Sequence, residues 1–189
     1  MNAERLAVLL GERGALLEGH FRLSSGRHSD RFIQKFRILE DPALLGPIAR
    51  ELAARAAPLE PTIVVSAAVG GIVLGYEMGR QLGTKAIFVE KENGVPKLRR
   101  SFRLTPQDRV LVVEDVVTTG GSVREVIEVV RETGATVVGV AVIVRRSPID
   151  FGVPTIPLLD FPVDSYDPAE CPLCARDIAL DEPGSRFVR

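Results

Sequence analysis

Apolar positions along the chain follow two rhythms, one helical and one extended. Leu6, Leu9 and Leu10 repeat at helical spacing behind Asn2, which predicts a first helix through about Glu12. In GHFRLSSGRHSDRFIQ, two β-like runs at 20–23 and 30–34 flank Ser24-Ser25-Gly26, a turn signal. Asp41-Pro42 opens a helix, with Asp as N-cap and Pro at the first helical position; Pro58 and Pro61 end it after about Ala56. Strand-like runs then recur at 62–66, 86–89, 110–113 and 137–144. Helical spacing recurs at 72–82 and 122–133, closed by Gly83 and Gly134. A polar stretch, 90–109, separates the second and third of these strands. Residues 137–144 are apolar at nearly every position, as a parallel strand covered on both faces should be.

This alternation predicts an α/β fold with a central, mostly parallel sheet flanked by helices. Ligands of such sheets bind beyond the carboxyl ends of the strands, where loops 66–71 and 114–122 fall. The expected organisation is one domain over 1–189. A small N-terminal segment spans 1–40, the α/β core 41–147 and a Pro- and Asp-rich wrapping tail 148–189, with one more strand near 155–159.

Composition narrows the function classes. A net charge of −1 gives no general pull toward nucleic acid or membrane, and no run reaches the roughly 20 apolar residues of a membrane span. The opening MNAERLAVLLGERG lacks a basic region followed by an apolar one, so no secretion signal is predicted and the expected compartment is the cytoplasm. The two cysteines, Cys171 and Cys174, form a lone CxxC. Zinc needs four ligands, and neither a second CxxC nor a nearby histidine pair stands beside it in the sequence. An inert or locally structural pair is the first reading, ahead of an intersubunit metal site and a redox motif. His20 and His28 read as structural or exposed.

Candidate chemistry concentrates in VLVVEDVVTTGGS, residues 110–122. Thr118, Thr119, Gly120, Gly121 and Ser122 lead into a helix. Hydroxyls, glycines and the free N–H groups of a helix start make a phosphate cradle. The Walker pattern GxxxxGK[ST] and the dinucleotide fingerprint GxGxxG are both absent. At the end of the preceding strand, Glu114 and Asp115 can accept hydrogen bonds from vicinal sugar hydroxyls or approach a hydrated Mg²⁺. A phosphorylated sugar satisfies both halves. Two acids that merely cap a helix above a plain turn are the competing, less favoured reading.

Residues 110–122 resemble the phosphoribosyl-diphosphate (PRPP) motif of the type I phosphoribosyltransferases. GHFRLSSGRHSDRFIQ is similar to the hood of that family's orotate-specific members, and AIFVEKENGVPKLRRSF to their catalytic loop. The resemblance implies a hood over the core and transfer of ribose 5-phosphate from PRPP to orotate, giving orotidine 5′-monophosphate and pyrophosphate. It implies that Glu114 and Asp115 hold the ribose hydroxyls, that residues 116–122, Val116 and Val117 included, wrap the 5′-phosphate, and that Lys91 acts in catalysis. Arg99, Ala68 and Gly70 would join the PRPP site; Thr118, Arg146, Ser25 and Gly26 would hold orotate, with Arg145 a rival to Arg146. Mg²⁺ would be held mainly by PRPP and water, with no direct protein ligand. A homodimer is implied, loop 90–102 reaching the neighbouring site.

Departures from the family pattern stand out. Gly70 occupies a position where many relatives carry lysine, Glu90 stands near an expected arginine and Ser24 near an expected lysine; Arg99 and Arg100 are the expected compensation. Two rivals remain at this stage. One is a purine-base transferase, with Phe151 as its candidate stacking residue. The other is a non-catalytic PRPP-sensing regulator, against which the chain offers no spare DNA-binding segment. Fusion with a decarboxylase is excluded by length.

Overall fold

The computed structural model describes residues 2–23 and 25–183. Helix α1 (Ala3–Glu12) is capped by Asn2, whose side chain accepts from the Arg5 N–H at 2.9 Å. Strands β1 (Leu16–Arg22) and β2 (His28–Ile33) form an antiparallel hairpin, the hood, with a bulge between Glu18 and Phe21. Its turn holds Ser25 and Gly26; Ser24 lies outside the described residues. A short helix α2 (Phe36–Leu39), absent from the sequence reading, follows. Helix α3 (Pro42–Ala56) begins as predicted, with Asp41 accepting from the Ala43 N–H at 2.9 Å.

The core sheet contains β3 (Ile63–Ala67), β4 (Lys85–Glu92), β5 (Val95–Leu98), β6 (Arg109–Val117), β7 (Thr136–Arg145) and β8 (Thr155–Asp160), in the order β5-β4-β3-β6-β7-β8. All pairs are parallel except β4–β5. That hairpin corrects the expectation that 90–109 is one polar connection. Its turn, Asn93-Gly94, has φ of 51° and 82°, the geometry that two-residue β turns require. Helices α4 (Gly70–Leu82) and α5 (Gly121–Glu132) complete the fold.

Alternation along β6 divides the core. Leu111 and Val113 join residues of α1, α3 and α4 in one apolar cluster, whereas Val110 and Val112 join Val123, Val126, Ile127 and Val130 of α5 in the other. Covering both faces buries the middle of the sheet, and β6 must emerge at its carboxyl end before polar chemistry can begin. The tail packs on the hood: Phe21 bridges to Asp181, and His28 to Tyr166. No described helix is long and apolar enough to cross a membrane.

Candidate active site

The last turn of β6 delivers Glu114 and Asp115 to the end of the sheet, 7% and 1% exposed. Two carboxylates at this depth need compensation, and part of it comes from Lys35 at the start of α2. Its Nζ lies 3.2 Å from Asp115 Oδ1 and 3.0 Å from Oδ2. The second contact is an ion pair without hydrogen-bond geometry, which leaves Oδ2 a buried acceptor with no donor. Oδ1 also accepts from the Val116 N–H at 2.7 Å. Burial first, and the neighbouring Asp115 charge second, push the Glu114 carboxyl up to about 8, against the smaller opposing pull of Lys35. The protein therefore holds a site in which one carboxyl favours a proton until a donor or cation arrives.

Beyond the acids the chain turns sharply. Gly120 has φ of +76°, and a Cβ there would fall 2.8 Å from Phe151 Cε1. Only glycine meets both the left-handed backbone and the close approach. Arg124 N–H closes a helical bond to Gly120 O at 3.0 Å, so the N–H groups of Gly121, Ser122 and Val123 stand at the open end of α5. Residues 116–123, together with Glu114 and Glu125, line an open cavity of about 240 Å³. Carboxylates, hydroxyls and a helix N-terminus thus share one cleft.

Loop 66–71 borders the acids. A Cβ at Gly70 would lie 2.6 Å from Asp115 Oδ2 and 2.8 Å from Lys35 Nζ, so the glycine leaves room for that ion pair. Ala68 N–H bonds to Val89 O at 2.8 Å, tying this loop to β4. The cation beside Gly70 is Lys35, not the expected Arg99 or Arg100. Those two directly follow β5 and pair back onto β4, Arg99 3.3 Å from Glu92 and Arg100 2.8 Å from Glu90. The sequence reading passed over Lys35; its one signal was a solitary lysine directly after a predicted strand.

Lys91 lies at the other edge of the cleft, its Nζ 2.8 Å from Oε1 of the cavity-lining Glu125. At the end of β7, Arg145 forks onto Asp160 at 2.6 and 3.1 Å. Arg146 is half-buried, its N–H bonded to Val117 O at 2.9 Å, and desolvation lowers its guanidinium pKa. No ion pair engages its side chain among the described residues, which favours Arg146 over Arg145 as the residue left for a ligand. Ser25 and Gly26 sit on the exposed hood turn and do not line the cavity. Phe151 is buried behind Gly120 with Arg124 over its ring, and so is packed away rather than offered for base stacking.

Residues 38–148 match the family model described as the phosphoribosyl transferase domain. The chain belongs to the phosphoribosyltransferase family. Among curated relatives, this phosphoribosyltransferase is 49% identical over 190 positions to the orotate phosphoribosyltransferase of Pelotomaculum thermopropionicum, covering 100% of each chain. It is likewise 49% identical to that of Thermotoga maritima, over 96% of this chain and 98% of the relative. Among solved structures it is similar to the orotate phosphoribosyltransferase from Aeropyrum pernix. The TM-score is 0.70 and the identity 30%, over 82% of this chain and 92% of that one.

Proposed function

We propose that this phosphoribosyltransferase moves the ribose 5-phosphate group of PRPP to N1 of orotate, releasing pyrophosphate. The observation that carries the reading is that Glu114 and the Thr118–Ser122 turn line one cleft, with Asp115 next to Glu114 on β6, supported by full-length similarity to orotate enzymes. The C1′–oxygen bond to pyrophosphate breaks with its electron pair on the leaving group; the N1–C1′ bond forms, and the N1 proton passes to solvent. No side-chain nucleophile is required. Placement and charge stabilisation account for catalysis.

Each residue has a part in this. Asp115 Oδ2, lacking a donor, accepts from a ribose hydroxyl, and Glu114 accepts from the adjacent one once it is ionised. The N–H groups of 121–123 and the hydroxyls of Thr118, Thr119 and Ser122 hold the 5′-phosphate at the positive end of α5. Lys35, beside Gly70, and Lys91, at the edge of the cleft, supply positive charge toward the departing pyrophosphate. Arg146 reads the orotate carboxylate with a planar fork.

Magnesium fits this set. The cavity lining includes two acids, Glu114 and Glu125, and no lysine or arginine, so a polyphosphate entering it needs countercharge. Mg²⁺, held mainly by PRPP and water, would supply that charge as a Lewis acid.

A homodimer completes the proposal. Val69, Val73 and Tyr76 are exposed along one side of α4 and its entry, at 77%, 46% and 70%, with Phe36 nearby on α2. A second copy would cover this strip while its β4–β5 hairpin, within 90–102, reaches the neighbouring cleft. The expected setting is the cytoplasm.

The test is direct. Pure protein with PRPP, Mg²⁺ and orotate should consume orotate absorbance, and adenine, hypoxanthine and uracil should give no product. Turnover of a purine without turnover of orotate would refute the assignment. Nothing at the site favours the purine reading now that Phe151 is packed away.

A further inference from the structure

Four side chains outside the cleft converge at the junction of hood and tail. His20 Nε2 lies 3.0 Å from His28 Nδ1, 3.6 Å from Cys171 Sγ and 3.7 Å from Cys174 Sγ. Cys174 Sγ lies 3.3 Å from His28 Nδ1, and all four ligand atoms fall within 4.8 Å of one another. We propose that His20, His28, Cys171 and Cys174 form a tetrahedral site for a single zinc ion that staples the tail to the hood.

The distances carry the inference. Zinc bonds of about 2.0–2.1 Å to nitrogen and about 2.3 Å to sulfur imply tetrahedron edges of roughly 3.3 Å for N···N and roughly 3.5–3.6 Å for N···S. The four edges given above match these to within a few tenths of an ångström, and the remaining two, at no more than 4.8 Å, close onto a bound ion by a small side-chain movement. The tautomer of His20 is also fixed correctly. Its Nδ1 lies 2.7 Å from the carbonyl oxygen of Ile178, which can only accept, so Nδ1 carries the proton and Nε2 turns its lone pair to the centre. Metal-ligating histidines are held by this same outer hydrogen bond. Two thiolates and two imidazoles in a tetrahedron select zinc over hard cations such as magnesium.

The fold brings the ligands together by three devices. His20 stands beside the β1 bulge, and the register Arg22↔His28 places His28 on the hood face shared by residues 20 and 22. A short 3-10 turn, Cys174–Arg176, closes the CxxC with Ala175 N–H on Cys171 O at 3.1 Å. Cys171 and Leu173 are buried against the hood, 4% and 5% exposed. A lone two-stranded hairpin is at best marginally stable. A cross-link between residues 146 to 154 positions apart removes much of the freedom of the unfolded chain. None of the four lines the active-site cavity, so the role is structural.

Untagged protein purified under reducing conditions should carry zinc at one ion per chain by elemental analysis. The paired substitutions Cys171→Ser and Cys174→Ser should abolish it. Should that variant fail to fold, the unaltered protein still decides. Stripped with a chelator and given Co²⁺, it should show thiolate-to-cobalt charge transfer and the intense d–d bands of a tetrahedral ion. Chelation should lower its melting temperature, and zinc should restore it. Substoichiometric zinc, iron in its place, an octahedral cobalt spectrum, or a Cys171–Cys174 disulfide in the reduced preparation would each overturn the assignment.

Discussion

Lys35 and Asp115, 80 positions apart in sequence, meet with Nζ 3.0 Å from Oδ2 beside the Gly70 loop. The contact ties the segment just after the hood to the end of the central strand. Replacing Lys35 by Met should lower kcat/KM by about tenfold to a hundredfold, the range set by losing one charge-assisted contact of about 1.5–3 kcal/mol. Lys35 is partly exposed, so the stability loss should stay near 1 kcal/mol after solvent screening. Steady-state kinetics and urea unfolding separate the two effects; unchanged kinetics would mean that Lys35 only neutralises Asp115.

Asp115→Asn should leave the fold intact and reduce kcat/KM by about 10²–10³-fold, comparable with the loss of a preorganised transition-state contact. Circular dichroism together with turnover checks this. Full activity would reduce the acid to a cap on the following turn.

Stability of the ligand-free protein should depend on pH through Glu114. Its folded pKa, about 8, lies above the ordinary glutamate value of 4.5. The native state thus holds a proton that the unfolded state has lost between these values, so stability is fully present below about 4.5 and falls as pH rises toward 8. The effect is at most about 5 kcal/mol. Denaturant titrations across this window should show the decline, and Glu114→Gln should flatten it.

Gly120→Ala asks for a left-handed alanine, a cost of about 1–2 kcal/mol, and presses Cβ against the Phe151 ring. The expected result is a lower melting temperature together with weaker PRPP binding by calorimetry. Phe151→Leu in the same chain should recover part of the stability but not of the affinity, because the backbone strain remains.

Lys91→Ala should lower kcat far more than it raises the PRPP dissociation constant, if the lysine acts mainly at the transition state. Its resting partner is Glu125 on α5. Glu125→Gln should therefore keep turnover and free the lysine, whereas equal losses in kcat and affinity on removing Lys91 would mark it as a plain binding residue.

The candidate cleft was legible because its parts are contiguous: strand, acid pair, small polar turn and helix follow one another within residues 110–122. Features assembled from distant segments were not. Lys35 reaches Asp115 only through the hairpin and α2, and the partners of the CxxC sit near the opposite end of the chain. Strand β5 was hidden by Pro96 and Lys97, residues that suit an edge strand yet read as loop. Asn93-Gly94 was the available hairpin signal. Phe151 looked like a stacking residue because exposure cannot be read from one aromatic in a Pro-rich stretch.

The pairing of Phe21 with Asp181, and the Ile178 carbonyl on His20 across 158 positions, have a consequence for biogenesis. A ribosome can finish the α/β core while the tail is still in the exit tunnel. The hood cannot be latched by the tail until residues 166–181 have emerged, so a nascent chain would carry a finished α/β core beside an unlatched hairpin.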